Sequence, residues 1–137
     1  MDWITDDIAI GNYLDAHDRE QLSRHAVNSV LGLTEVLRRT DCEGLNLKAI
    51  EIVLLVDAPG SDPRMFRRAV DALTRLVHEA RPVLVHCHAG PSRSVVVVAG
   101  YLMQVMRIGA TEALARVAAK REVAVAEGLK RLLDTIV

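Results

Sequence analysis

The stretch from Val83 to Val98, VLVHCHAGPSRSVVVV, constrains this chain more than any other. An apolar run too short for a buried helix delivers His-Cys. A small loop with one glycine and one proline follows, and then comes a second apolar run that continues as Ala-Gly-Tyr-Leu-Met. A run of the first kind reads as a short buried strand over Val83–Val85. The second contains four consecutive valines, which suit a strand by propensity. Its length favours a buried helix over Ser94–Arg107. A strand that is apolar throughout and followed by a covered helix belongs to the middle of an α/β sheet.

The rest of the chain fits that frame. Ile8–Ile10 reads as a strand ending at Gly11, Asp15–His25 as a polar segment that contains a helix and Val27–Leu33 as a second strand. Arg38–Gly44 is a charged connection, and Ala49–Val56 is a buried strand stopped by Asp57-Ala58-Pro59-Gly60. Asp62-Pro63 has the form of an N-cap followed by proline at the first helical position. The helix it opens runs to Ala80, with Phe66, Ala69, Val70, Leu73, Leu76 and Val77 on one face. Helices over Ala113–Arg121 and Glu127–Ile136 complete the chain, the first started by Thr111-Glu112 after Gly109. We expect a single domain over residues 1–137: an α/β fold with a central, largely parallel sheet of four to five strands flanked by helices. A phosphate-binding loop should lie between the last core strand and the following helix. Ligands of such sheets bind beyond the carboxyl ends of strands, which is where His86-Cys87 falls.

Composition removes several function classes. The net charge of −1 and pI near 6.5 give no electrostatic footprint for nucleic acid or a membrane surface. The longest apolar stretch, Val95–Met106, is interrupted by Gln104 and is too short to span a bilayer. Two cysteines, Cys42 and Cys87, cannot make a disulfide framework, and the acidic N-terminus lacks the positive charge of a secretory signal. The expected setting is the cytoplasm, with no membrane and no nucleic acid as partner. Cys42 is expected to be an ordinary unpaired thiol; a redox partnership with Cys87 is the alternative.

The loop carries the chemistry. In Cys87-His88-Ala89-Gly90-Pro91-Ser92-Arg93, backbone N–H groups can turn inward as a nest, and the next helix adds its positive end. Gly90 permits the turn and Pro91 removes a donor. Arg93 can grip a phosphate with two parallel N–H bonds. A thiol at a helix N-terminus beside cations ionises at roughly 3.5–7.5, against ~8.5 when free. Nucleophilic sulfur inside an anion receptor predicts phosphoryl transfer through a phosphocysteine. A leaving oxygen needs a proton, and Asp57, directly after the strand ending at Val56, is the candidate general acid and later base. Asp62 is the alternative but suits a helix cap better. Ser94 can donate a hydrogen bond to the departing sulfur. His86 and His88 flank Cys87, yet adjacent strand residues alternate faces and do not easily share one ion, so neither metal nor cofactor is expected.

These residues resemble a known family. HCHAGPSRS is similar to the His-Cys-five-residues-Arg-Ser/Thr loop of the cysteine-dependent protein tyrosine phosphatase superfamily. Gly90 and Ser94 resemble its dual-specificity branch, here in a compact, prokaryotic-type form. IAIGNYLDA with VNSVLGLT, VDAPGSDPRMF and VVVVAGYLMQ resemble that branch's strand pair, general-acid loop and helix behind the nucleophile. The resemblance implies Cys87 as nucleophile, Arg93 as phosphate clamp, Asp57 as acid, Ser94 as second-step hydroxyl and His86 as the residue that orients the loop. Residues 88–93 (His88, Ala89, Gly90, Pro91, Ser92, Arg93) would form the phosphate-binding loop. It implies a monomeric phosphatase acting on phosphorylated protein or peptide, phosphotyrosine first, with phosphoserine and phosphothreonine open. The loop lacks the lysines of inositol-lipid phosphatases. Two other readings stay open: a phosphatase for a small molecule or RNA 5′-phosphate, and a non-catalytic phosphate-binding module.

Overall fold

In the computed structural model, residues 1–35, 37–56, 62–88 and 92–136 are described, apart from the side chain of Arg39. The strands are β1 (Asp2–Trp3), β2 (Ile8–Gly11), β3 (Ser29–Gly32), β4 (Ala49–Ile52) and β5 (Val83–His86). The helices are α1 (Tyr13–His17), α2 (Arg19–Arg24), α3 (Cys42–Leu45), α4 (Pro63–Ala80), α5 (Arg93–Met106), α6 (Ala110–Ala118) and α7 (Glu127–Lys130), with 3₁₀ turns at Arg39–Asp41 and Arg131–Thr135. The sheet order is β1-β2-β5-β3-β4, parallel except for β1. β5 lies at the centre, and every residue of VLVH is buried. That is where a β-branched run without alternation is expected to settle.

Each face of the sheet packs its own cluster, because strand side chains alternate. Ile8, Ile10, Leu31, Val83, Val85 and Cys87 face α4 and α5. Ala9, Val30, Leu84 and Ile50 face α1 and α2, joined by Ala16 and Leu22. α4 follows the anticipated bounds: Asp62 accepts from the Arg64 N–H at 2.8 Å, and Pro63 opens the helix. In α5, Val95, Val96, Val97 and Val98 are fully buried, so burial overrides their strand propensity. Gly100 lets α5 meet α4: a Cβ there would lie 2.9 Å from Phe66 Cζ.

Several boundaries differ from the sequence reading. Asp2–Trp3 adds an antiparallel edge strand, because its backbone pairs with Ala9 and Ile10. The polar segment Asp15–His25 contains a helix, as expected, and it also holds the end of α1, since the Asp18 side chain accepts from the Gln21 N–H and caps α2 as a separate helix. The charged connection contains the 3₁₀ turn and α3. β4 stops at Ile52, four residues short of Val56, although Val53 and Leu55 still donate to Gly32 and Leu33. Arg107, not Gly109, takes the left-handed conformation that ends α5, and Gly109 becomes the N-cap of α6. The last helix tightens after Lys130 into 3₁₀ geometry. Among the described residues, no helix is long and apolar enough to cross a membrane.

Candidate active site

Strand β5 carries His86 to its carboxyl end between two neighbours, level with Gly11 of β2 and Gly32 of β3. Leu33 N–H donates to the His86 carbonyl at 2.9 Å, so the ladder holds the chain up to the residue before the cysteine. Cys87 is 1 % exposed and packs in the cluster beneath α4 and α5. Neither it nor Cys42 is in a disulfide, and Cys42 packs against the cluster on the other face. His88 turns toward α1.

Helix α5 then begins at Arg93. Its N-cap, Ser92, is buried and makes no side-chain capping bond. Arg93 Nη1 donates to the Leu55 carbonyl at 3.2 Å, tying the head of α5 to the segment that leaves β4. Arg93 Nε and Ser94 Oγ are both buried without a hydrogen-bond partner among the described residues. A buried polar group left this way costs about 1–3 kcal/mol. Two of them lie on one helical turn next to the buried thiol, where a polar ligand at this sheet edge could satisfy both. Asp57 and the loop residues Ala89, Gly90 and Pro91 lie outside the described residues, so their assigned parts remain expectations. Asp62 is described. The Arg64 N–H bonded to its carboxylate holds it below the usual carboxylate range. That suits a cap and is the wrong direction for a proton donor.

His86 is fully buried on the α1 side. Burial pushes its imidazole down to about 4, so the ring is neutral near pH 7. Its Nδ1–H points at the Cys87 carbonyl, a long contact of 3.4 Å. Nε2 has no partner among the described residues and faces Gly32, where a Cβ would lie 3.0 Å away. Any side chain at Gly32 would displace the ring that precedes the cysteine.

Sequence reasoning missed the corner after β2. Asn12 and Asp15 form a reciprocal capping box, each side chain accepting from the other's backbone N–H at 3.0 Å. Burial alone would raise the Asp15 pKa, but hydrogen bonds from the Asn12 N–H and the Gln21 side chain lower it overall. Gly11 is required here, because a Cβ would sit 2.6 Å from Asp15 Oδ2. The box fixes Tyr13, whose ring stacks on His88 with centroids 4.9 Å apart and planes 10° from parallel. The N-x-x-D spacing after a strand was the available signal for the box; the stack had none. Among the described residues, no three His, Cys, Asp or Glu side chains converge as a metal site.

Comparison with known proteins agrees with this geometry. Residues 8–135 match the family model described as "Dual specificity phosphatase, catalytic domain". Dual specificity protein phosphatase 22 of Mus musculus is 36 % identical over 129 residues, covering 90 % of this chain and 66 % of that protein. The chain thus spans just under two thirds of that relative's length. The crystal structure of Cydia pomonella PTP-2 phosphatase superposes with a TM-score of 0.83 at 25 % identity, over 98 % of this chain and 88 % of that one. Human DUSP28 superposes with a TM-score of 0.84 at 21 % identity, over 99 % and 94 %, which shows the shared fold.

Proposed function

Because the chain belongs to the dual specificity phosphatase catalytic-domain family, we propose that it hydrolyses phosphomonoesters on proteins through a phosphocysteine. One observation carries the reading: a buried cysteine follows the central strand, and Arg93 and Ser94, at the start of the next helix, have buried polar atoms without a partner among the described residues. Cys87 Sγ attacks phosphorus as the P–O bond to the leaving group breaks. The guanidinium of Arg93 holds two non-bridging oxygens and gathers the developing charge. Asp57 gives its proton to the leaving oxygen. Water then attacks the phosphocysteine, Asp57 takes the water's proton, and the S–P bond breaks with Ser94 donating to the sulfur. The loop Cys87–Arg93 supplies backbone donors to the phosphate, and neutral His86 holds the Cys87 carbonyl from below.

Phosphotyrosine is the preferred substrate in this reading, with phosphoserine and phosphothreonine secondary. The catalytic unit is taken as one domain over 1–137, monomeric and cytoplasmic. The absence of a disulfide at either cysteine accords with a reducing compartment. The test is a panel of phosphotyrosine, phosphoserine and phosphothreonine peptides beside a small aryl phosphate, with acid quench to trap labelled phosphoenzyme. Turnover of phosphotyrosine peptide with label on Cys87 supports the proposal. Hydrolysis of the aryl phosphate alone would move the assignment to a small-molecule substrate. Phosphate binding with no turnover would leave only a binding module.

A further inference from the structure

Apolar side chains flank the site on one side of the sheet, and their placement bears on what surrounds the phosphorylated residue in a substrate. Among the described residues, five large hydrophobics are exposed: Leu14, Leu54, Val56, Val105 and Met106. The last two lie at the far end of α5. The other three stand at the catalytic edge. Leu14 is 62 % exposed and follows Tyr13 at the capped corner after β2. Leu54 and Val56, 42 % and 62 % exposed, follow β4. Leu55 between them is buried in the cluster with Cys87, whereas Ile52 packs against the α1-side cluster. The backbone stays extended here, since Val53 and Leu55 both donate to the β3 end. Alternation therefore brings Leu54 and Val56 out on the α1 side, the side on which Tyr13 and His88 stack.

We infer that this edge docks the polypeptide around the phosphoresidue through apolar contacts: Leu14 and Tyr13 on one flank, Leu54 and Val56 on the other. The occupant is an extended segment of the phosphoprotein substrate with apolar side chains beside its phosphotyrosine. The inference rests on the phosphatase reading above. Spacing supports it. Strands are ~4.8 Å apart and an extended chain advances ~3.3 Å per residue. The β2 end is one strand interval from β5 and the β4 end is two, by way of β3. A phosphoresidue at Cys87 then places residues about one to two positions away over Leu14, and about three positions away over Leu54 and Val56. Charge on this side is mixed and selects no acidic flank: Glu35 and Arg38 are both exposed just beyond the β3 end. The exposed cations Arg64, Arg67 and Arg68 belong to α4, which packs on the opposite face.

The test compares kcat/KM for two phosphotyrosine peptides, with free phosphotyrosine as the reference substrate. One carries leucine, valine or phenylalanine over about three positions on each side; the other carries aspartate and glutamate there. The apolar peptide is expected to win by about tenfold or more, the scale of one partly buried aliphatic side chain. The double variant Leu14→Ser with Val56→Ser should lose most of that ratio, with the loss falling in KM. Val105→Ser, 51 % exposed at the far end of the molecule, should keep it. Equal rates for the two peptides, an acidic preference, or an unchanged ratio in the double variant overturns the inference alone. An acidic preference that disappears in Arg67→Glu or Arg68→Glu would assign the flank to the α4 side. Hydrolysis of free phosphotyrosine with no turnover of either peptide overturns the docking surface and the protein substrate together.

Discussion

At the start of α4, Asp62 caps the helix with its own carboxylate, accepting from the Arg64 N–H at 2.8 Å. At the start of α5, Ser92 makes no such bond, and Arg93 Nε and Ser94 Oγ are buried without partners among the described residues. Both helices follow a parallel strand at the same sheet edge. One junction is complete in itself. The other leaves two buried polar atoms without a partner among the described residues, next to the buried thiol that follows the central strand. The contrast fits the proposed roles of the two junctions: a cap at α4 and a phosphate site at α5. Arg93 also joins the two, since its Nη1 bonds the Leu55 carbonyl on the way from β4 to α4.

The largest effect should come from the thiol itself. Cys87→Ser keeps the shape of the α5 junction and replaces the nucleophile by a hydroxyl. Turnover is expected to fall by four or more orders of magnitude, while inorganic phosphate still protects the variant against thermal unfolding. Activity above about 1 % of the starting enzyme would exclude a phosphocysteine. Next comes the acid. Asp57→Asn should lose about 10²–10⁴-fold in kcat on alkyl phosphates and far less on an activated aryl phosphate, which departs without a proton. Asp62→Asn should stay within about twofold, because asparagine caps a helix as aspartate does. If the two results are exchanged, the α4 junction is catalytic and the contrast drawn above is wrong.

The two junctions also show what the sequence could and could not disclose. The α5 junction was legible because its signals are local: an apolar strand, a glycine-proline loop and an apolar helix lie within sixteen residues. The Asp62-Pro63 cap was legible for the same reason. The Arg93 bond to Leu55, the Tyr13–His88 stack and the fit of Gly32 under His86 join residues far apart in the chain. Each depends on sheet order and register, which periodicity alone does not supply. The pairing of Asp2–Trp3 with β2 is likewise a register fact. The split at Asp18 lay beneath the reading: a polar segment expected to contain a helix carries its own second cap.

Arg93→Lys tests the link between the junctions. Lysine offers a point charge and no fork, so kcat should fall about 10²–10³-fold, nearly as far as in Arg93→Ala. Near-normal kinetics would mean that Arg93 serves the Leu55 carbonyl alone. His86 should give a smaller, pH-dependent effect on stability. Its pKa is depressed from 6.5 to about 4 by burial. In that window the unfolded chain holds a proton that the folded chain refuses, so stability rises with pH. Stability is fully present above pH 6.5 and drains away as the pH falls toward about 4, by on the order of 3 kcal/mol. Denaturant titrations across this range should show that slope, and His86→Asn should remove it.

Ser94→Ala should have the smallest effect, and it is the most specific probe of the α5 junction. The hydroxyl is buried and bonded to nothing among the described residues, so its loss breaks no hydrogen bond there and relieves an unpaired buried group, and the unliganded variant should be no less stable and up to about 1–3 kcal/mol more stable. If its use is to stabilise sulfur as the phosphocysteine breaks, then only the second chemical step should slow, by about tenfold for one lost hydrogen bond. Formation of the phosphoenzyme would be untouched. A rapid-quench experiment with an aryl phosphate should then show a burst of aryl alcohol approaching one equivalent per site, followed by a slower steady state. Phosphoenzyme should accumulate in the variant, where the unsubstituted enzyme shows little. A uniform slowing of burst and steady state would place Ser94 in the first step. An unchanged time course would make the hydroxyl a packing residue, and the orphaned polar atoms at the head of α5 would then reduce to Arg93 alone.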